Sequence, residues 1–204
     1  MEYNDAARNQ TKLSDPSAGN TEYIYNAFGQ IKSTINARGQ TTTVNYHADG
    51  RISSKVTPEG TTSYTYNSNK QLTGITSPEN VSRSIGYDSK GRVISITENI
   101  AGSNFSTTFI YDDKGRISTR THPSGIVETY NYNDNGYLAS ILADGVAVYT
   151  VTAMNERQQI TSPTFGSILT GDFGFDAFGY PAHSKAFESG TAKQDYRYVL
   201  HSGY

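Results

Sequence analysis

A repeat of 20 to 24 residues governs what this 204-residue chain can fold into. Its plainest copy runs from Val44 to Tyr66. Tyr46 precedes a four-residue turn, His47-Ala48-Asp49-Gly50. Six residues carrying Ile52 and Val56 follow, then a second turn, Thr57-Pro58-Glu59-Gly60, then six residues ending on Tyr64-Thr65-Tyr66. The cycle restarts at Tyr66. A period of this length has to be found first, because it marks arrays of one small supersecondary unit that cannot bury a core alone.

The anchor position falls at Tyr3, Tyr25, Tyr46, Tyr66, Tyr87, Tyr111, Tyr132, Met154, Phe175 and Tyr198, so residues 1–204 read as one continuous array. Asn or Asp follows most anchors. Glycine comes four residues after most of them, as Gly29, Gly50, Gly91, Gly115 and Gly136 show, and an aliphatic residue comes six after. Asx-x-x-Gly is a turn with a mechanism. The Asx side chain accepts from backbone two residues on, and glycine takes positive φ, as in a type I turn followed by a bulge. The second turn of each unit repeats the logic at Asn36-Ala37-Arg38-Gly39, Thr57-Pro58-Glu59-Gly60, His122-Pro123-Ser124-Gly125 and Leu142-Ala143-Asp144-Gly145. Proline is expected in turns, with Pro181 as the exception.

Between turns the residues suit strands. Segments 41–46, 105–111 and 126–130 are rich in β-branched and aromatic types. The anchor tyrosine has an aromatic or aliphatic partner two residues earlier, such as Tyr64 with Tyr66, which puts the pair on one strand face. No amphipathic helix is expected. The fold class predicted is all-β: a long antiparallel meander of hairpins, with the strip coiled or curved because twisted sheets of more than ~10 strands rarely stay flat. The pattern weakens at two places. Residues 99–104 read as an insertion. Residues 150–204 read as degenerate repeats, in which Gln158 replaces glycine and 165–174 does not parse, so a bend, a packed loop or a frayed end is expected there.

Composition narrows the function. The 17 basic and 19 acidic residues are interspersed, with no basic stripe to follow a phosphate backbone, so nucleic acid is not an expected partner. No run approaches the ~20 apolar residues of a membrane span, and no leader segment is visible. Cysteine is absent, which removes disulfide, thiolate and cysteine-zinc chemistry. Hydrophobic content is 35%, lean for a compact globule, but aromatic content of 12% argues against disorder. The sequence stops within a repeat, at Ser202-Gly203-Tyr204, and reads as an internal piece of something longer.

No catalytic, cofactor-binding or metal-binding residues are expected. His47 and His122 hold first positions of turns, and His183 and His201 have no convergent partners in spacing. The Asp-rich turns, such as Asp112-Asp113, supply too few oxygens for calcium. Twelve of the 16 tyrosines sit in the two aromatic slots of the unit. They read either as a packing ladder or as a stacking platform for glycans, and recurrence in every unit favours the ladder. The structural anchors singled out are Tyr25, Gly29, Tyr46, Gly50, Tyr66, Tyr87, Gly91, Tyr111, Gly115, Tyr132 and Gly136.

The motif Tyr-Asx-x-x-Gly-[Arg/Gln/Tyr]-[Ile/Leu/Val], as in Tyr25-Asn26-Ala27-Phe28-Gly29-Gln30-Ile31 and Tyr111-Asp112-Asp113-Lys114-Gly115-Arg116-Ile117, resembles the YD repeat of the Rhs family. That family takes in bacterial polymorphic toxins, the cocoon-forming components of Tc toxins, wall-associated proteins and the shell of teneurins. The resemblance implies part of an Rhs-type β-shell: a non-catalytic wall that encloses a C-terminal toxin or other polypeptide in a longer secreted or cell-surface protein, bacterial and extracellular. The partners implied are the remainder of that parent and its enclosed domain. An alternative is a surface-displayed module binding glycans or a protein, and free end strands suggest end-to-end self-association. The chain departs from the pattern in lacking an Asp-Pro-x-Gly self-cleavage site; Asp15-Pro16-Ser17-Ala18 comes nearest and reads as an ordinary turn.

Overall fold

The computed structural model describes residues 2–3 and 7–198, with side chains from residue 7. Asn4, His201 and the cut repeat at 202–204 lie outside the described residues. Among those described there are nineteen strands and no helix. The chain forms two compact units, Met1–Ser106 and Thr107–Tyr204.

The first unit contains β1 (Glu2–Tyr3), β2 (Gln10–Asp15), β3 (Gly19–Tyr25), β4 (Ile31–Ile35), β5 (Thr41–Tyr46), β6 (Ile52–Thr57), β7 (Gly60–Tyr66), β8 (Leu72–Ser77), β9 (Val81–Tyr87) and β10 (Val93–Ile100). Strand β11 (Ser103–Tyr111) spans the division between units. The second unit continues with β12 (Ile117–Thr121), β13 (Val127–Tyr132), β14 (Leu138–Ala143), β15 (Val146–Met154), β16 (Ile160–Phe165), β17 (Leu169–Phe175), β18 (Pro181–Glu188) and β19 (Thr191–Arg197). In each unit every strand pairs antiparallel with its neighbour in sequence, so each is a hairpin meander.

Register repeats as faithfully as the sequence. From Tyr25 to Phe175 each anchor pairs with the residue six positions on, and the residue before the anchor pairs with the one nine positions on from itself. Tyr46 opposes Ile52 while Asn45 opposes Ser54, and Tyr132 opposes Leu138 while Asn131 opposes Ser140. One residue is therefore bulged out of every anchor hairpin, the geometry that a type I turn with a left-handed glycine produces. The glycines comply, with φ of +78° at Gly29 and +82° at Gly115.

The structure departs from these expectations in several places. The region 165–174 is neither a bend nor a loop, because β16 and β17 run through it with the same register: Met154 opposes Ile160 and Phe175 opposes Pro181. Asn155 and Asp176 still form the Asx turns, and Gln158 adopts φ 63° where glycine is missing, so the hairpin survives the loss of its consensus letters. The insertion at 99–104 is absorbed as longer strands, with Ala101 and Gly102 forming a two-residue turn at φ 50° and 87°. The turn assigned to Leu142-Ala143-Asp144-Gly145 is also only two residues long. Asp144 and Gly145 both take positive φ (49° and 83°), the type I′ geometry that Asp-Gly favours, and Leu142 and Ala143 stay in β14. Pro163, in addition to Pro181, sits in a strand. It opposes Val151 next to a register shift, where a missing N–H is tolerated, and it is fully buried.

Among the described residues no aliphatic or aromatic side chain is buried; only Pro163 and Gly171 are buried residues. The units are single-layered, and cohesion comes from the ladder bonds and from side chains lying across the strands. The two faces differ. In the first unit, one face carries the row Asn45–Ser54–Ser63–Thr76–Ser82–Asn99, all small and polar. The second unit has its equivalent in Asn131–Ser140–Thr150–Thr164–Thr170. The opposite face carries the anchor tyrosines, their aliphatic partners and rows such as Tyr130–Ile141–Tyr149–Phe165–Leu169. Tyr149 and Phe165 are in ring contact there at 5.5 Å.

Candidate functional site

The strongest concentration of side-chain chemistry lies along the seams between repeats. The anchor tyrosines reach backwards. The Tyr46 hydroxyl donates to the Ile31 carbonyl (2.7 Å), Tyr66 to Ile52 (2.9 Å), Tyr87 to Leu72 (2.7 Å) and Tyr132 to Ile117 (2.9 Å). Tyr25 does the same to Gln10 (2.7 Å). In each case the acceptor lies 14 or 15 residues earlier, at or just before the start of the previous hairpin's second strand. Tyr111 holds the equivalent place opposite Ile117. A half-buried ring fills the sheet surface while its hydroxyl satisfies a carbonyl on the neighbouring unit.

The turns reach forwards. Asn26 first closes its own turn: its Oδ1 accepts from the backbone N–H of Phe28 and Gln30. Gln30 then donates through Nε2 to the Gly50 carbonyl at 2.9 Å, twenty residues on. Gln71 does so to Gly91 (2.8 Å) and Gln159 to Gly179 (2.8 Å). Arg116 donates through Nη1 to Gly136 (3.2 Å) and lies over the Tyr132 ring at 4.0 Å. Arg51 lies over Tyr66 at 4.3 Å. The acceptor glycines sit close beneath the incoming side chain: a Cβ built on Gly91 would stand 3.2 Å from the Gln71 Nε2. The singled-out glycines, Gly29, Gly50, Gly91, Gly115 and Gly136, thus hold the left-handed turn position, with φ between +78° and +87°.

The clasping residues Gln30, Gln71, Gln159 and Arg116 escaped sequence reasoning. The motif admitted Arg, Gln or Tyr at that position, but it gave no reason for the choice. The available signal was that Asn26, Asn67 and Asn155 precede glutamine while Asp88 and Asp112 precede arginine.

Carboxylates along the seams are held ionised. The Arg51 guanidinium holds Asp49 down to about 2. Backbone N–H donation from Arg92 leads in lowering Asp88. At Asp112 partial burial pushes upward, but the N–H and guanidinium of Arg116 outweigh it and the net shift is downward. A separate cluster spans β12 and β13. Glu128 accepts from Arg120 (2.8 Å) and from the Tyr130 hydroxyl (2.5 Å), and its other oxygen lies 2.9 Å from His122 Nε2. Arg120, then Tyr130 and His122, hold Glu128 at about 2 against the opposing effect of burial. With both oxygens occupied, Glu128 is a strut and not a free acid or base.

His47 and His122 do open turns, as their first-position placement predicts. His183 Nε2 lies 3.2 Å from Asp172, though not aligned for a hydrogen bond. Among the described residues no group of three or more His, Cys, Asp or Glu is placed to hold a metal ion. No helix of the described residues is long and apolar enough to cross a membrane.

Residues 1–98 match the teneurin YD-shell family and residues 87–127 match the RHS repeat family. No curated protein matches the chain. Among solved structures, it is similar to a chain of the Photorhabdus luminescens Tc holotoxin pore, with TM-score 0.79 and 16% identity over 96% of this chain and 11% of that one. It is similar also to a chain of a TcdB2–TccC3 crystal structure, with TM-score 0.79 and 16% identity over 96% of this chain and 12% of that one. The chain therefore spans about a ninth of those chains, and the likeness is one of fold. That fold is the hairpin meander of a partial Rhs-type β-shell. The two family matches together take in residues 1–127, so that stretch carries the repeats of the Rhs/YD family, and the same register continues beyond it.

Proposed function

We propose that the chain is a stretch of wall that, within a longer extracellular or secreted parent, encloses a polypeptide, with no catalysis of its own. The observation that supports this most is the seam. Five repeats are tied backwards by a tyrosine hydroxyl and four are tied forwards by an amide or guanidinium, and these bonds satisfy backbone carbonyls at the hairpin margins. Side chains engaged in holding neighbouring repeats together are not free to serve as reactive groups. A wall needs cohesion along its length more than it needs a core, and the single-layered units are built that way.

The last described strand, β19, pairs with β18 and is exposed along its length. Further strands of a parent, or a second copy of this chain, would add at such an edge.

The test is limited proteolysis of the full reading frame that contains this chain. Under the proposal, a polypeptide segment outside the repeats resists cleavage in the native protein and is digested once the repeats are unfolded. Free digestion of every non-repeat segment in the native protein would contradict it. Specific glycan binding lost on replacing exposed Tyr137 would favour the display module instead.

A further inference from the structure

We infer that, in the Asx turns with glutamine or arginine at the fifth position, the first and fifth residues form a two-letter donor–acceptor code that decides whether one repeat can be clasped to the next; the turns with tyrosine there, Asn133–Tyr137 and Asp176–Tyr180, stand outside it. The inference rests on the seam described above and on the polarity of four side-chain groups.

The geometry leaves one arrangement open. One Asx oxygen is committed to the turn. Oδ1 accepts the fifth-residue N–H in Asn26, Asn67, Asp88, Asp112 and Asn155. The remaining Asx group must face the fifth side chain. In asparagine that group is Nδ2, which only donates; in aspartate it is Oδ2, which only accepts.

An asparagine therefore needs an acceptor at the fifth position. It finds the Gln oxygen at 2.9 Å in Asn26–Gln30, 3.0 Å in Asn67–Gln71 and 2.9 Å in Asn155–Gln159. With its oxygen held, the Gln amide has its Nε2 pointing at the next repeat, where it meets the glycine carbonyl twenty residues on. An aspartate needs a donor, and Arg92 and Arg116 supply Nε to it at 2.7 Å each. The Arg116 guanidinium still has an N–H left for the Gly136 carbonyl.

Mixed pairs fail on polarity. Aspartate before glutamine would turn the amide round, so that its oxygen faced the next glycine's carbonyl oxygen. Asparagine before arginine would set N–H against N–H. The unit at Tyr46 obeys the same rule by another route. His47 offers no carboxylate, and Arg51 takes Asp49 at the third position instead.

The experiment uses the whole chain and the seam Asn67–Gln71–Gly91. Variants are Asn67→Asp, Gln71→Arg and the double change. The readout is amide hydrogen exchange in the turn at 88–92, which none of the substitutions touches in sequence. Each single change is expected to speed exchange there about tenfold, the size of one lost hydrogen bond. The double change is expected to return it to within about twofold of the parent. The Asn67→Asp variant is further expected to recover as pH falls through about 4, because the protonated carboxyl then donates as the amide did. The reciprocal set Asp112→Asn, Arg116→Gln and their double, read at Gly136, serves if the first set does not fold. Single effects that simply add in the double, or an Asn67→Asp defect independent of pH, would overturn the code. Failure of the protease-protection test would leave these outcomes unchanged, since the code concerns how repeats join and not what they enclose.

Discussion

At the scale of the residue, the tyrosine hydroxyl and the Glu128 carboxylate are the groups whose removal is most informative. Tyr87→Phe keeps the ring and deletes only the bond to the Leu72 carbonyl. It should cost about 1 kcal/mol in denaturant unfolding, since a net intramolecular hydrogen bond is worth ~0.5–1.5 kcal/mol. Glu128 gives a pH signature. Its folded pKa is depressed to about 2, below the ordinary carboxylate value, so its stabilisation is full above the unfolded pKa near 4.5 and disappears as pH falls through the folded one. The thermal midpoint of the native chain should therefore fall more steeply between about pH 4.5 and pH 2 than that of Glu128→Gln, which has no such proton to take up. Parallel curves would show that the Arg120–Glu128–His122 cluster contributes nothing in solution. The roles of the Asx and glycine letters were legible in the sequence, because each position follows from backbone conformation alone. The reach of Gln71 to a carbonyl twenty residues away was not, because local propensity does not register a bond between repeats.

At the scale of the element, the unit is a hairpin whose turn dictates a bulge. That turn tolerates poor letters. Lys70 and Gln158 occupy the left-handed position at φ 65° and 63°, where glycine is unstrained. Lys70→Gly and Gln158→Gly should each stabilise the fold by about 1 kcal/mol, the order of the left-handed penalty for an L-residue, read as a shift in the denaturation midpoint. No gain at either site would mean that side-chain contacts already offset the strain. The same tolerance explains why residues 165–174 do not parse by sequence yet belong to two ordinary strands and the turn between them. Apolar pairing of Met154 with Ile160 and the Asn155 turn preserve the register after the tyrosine and glycine are gone. It also explains the misplaced turn at Leu142. The four-residue spacing of the neighbouring turns does not apply there, because Asp144-Gly145 alone satisfies a tighter hairpin.

At the scale of the whole molecule, the repeat substitutes for a core. Tyrosines bind back, glutamines and arginines bind forward, and each hairpin is stabilised chiefly by the ones beside it, as in other repeat arrays. The all-β class and the period were evident from the spacing of tyrosines and glycines. The division into two compact units at Ser106 was not: the insertion at 99–104 lies beside it, but the anchors continue on both sides and the insertion reads only as a longer hairpin. The claim on which everything rests is that successive tyrosine-bearing hairpins lie side by side with each anchor touching the unit before it. Nuclear Overhauser contacts from the anchor rings test this directly in solution. Tyr46, Tyr66, Tyr87 and Tyr132 should each show contacts to Ile31, Ile52, Leu72 and Ile117 respectively, 14 or 15 residues earlier. Rings that contact only their own hairpin, with none of these four pairs observed, would contradict the account.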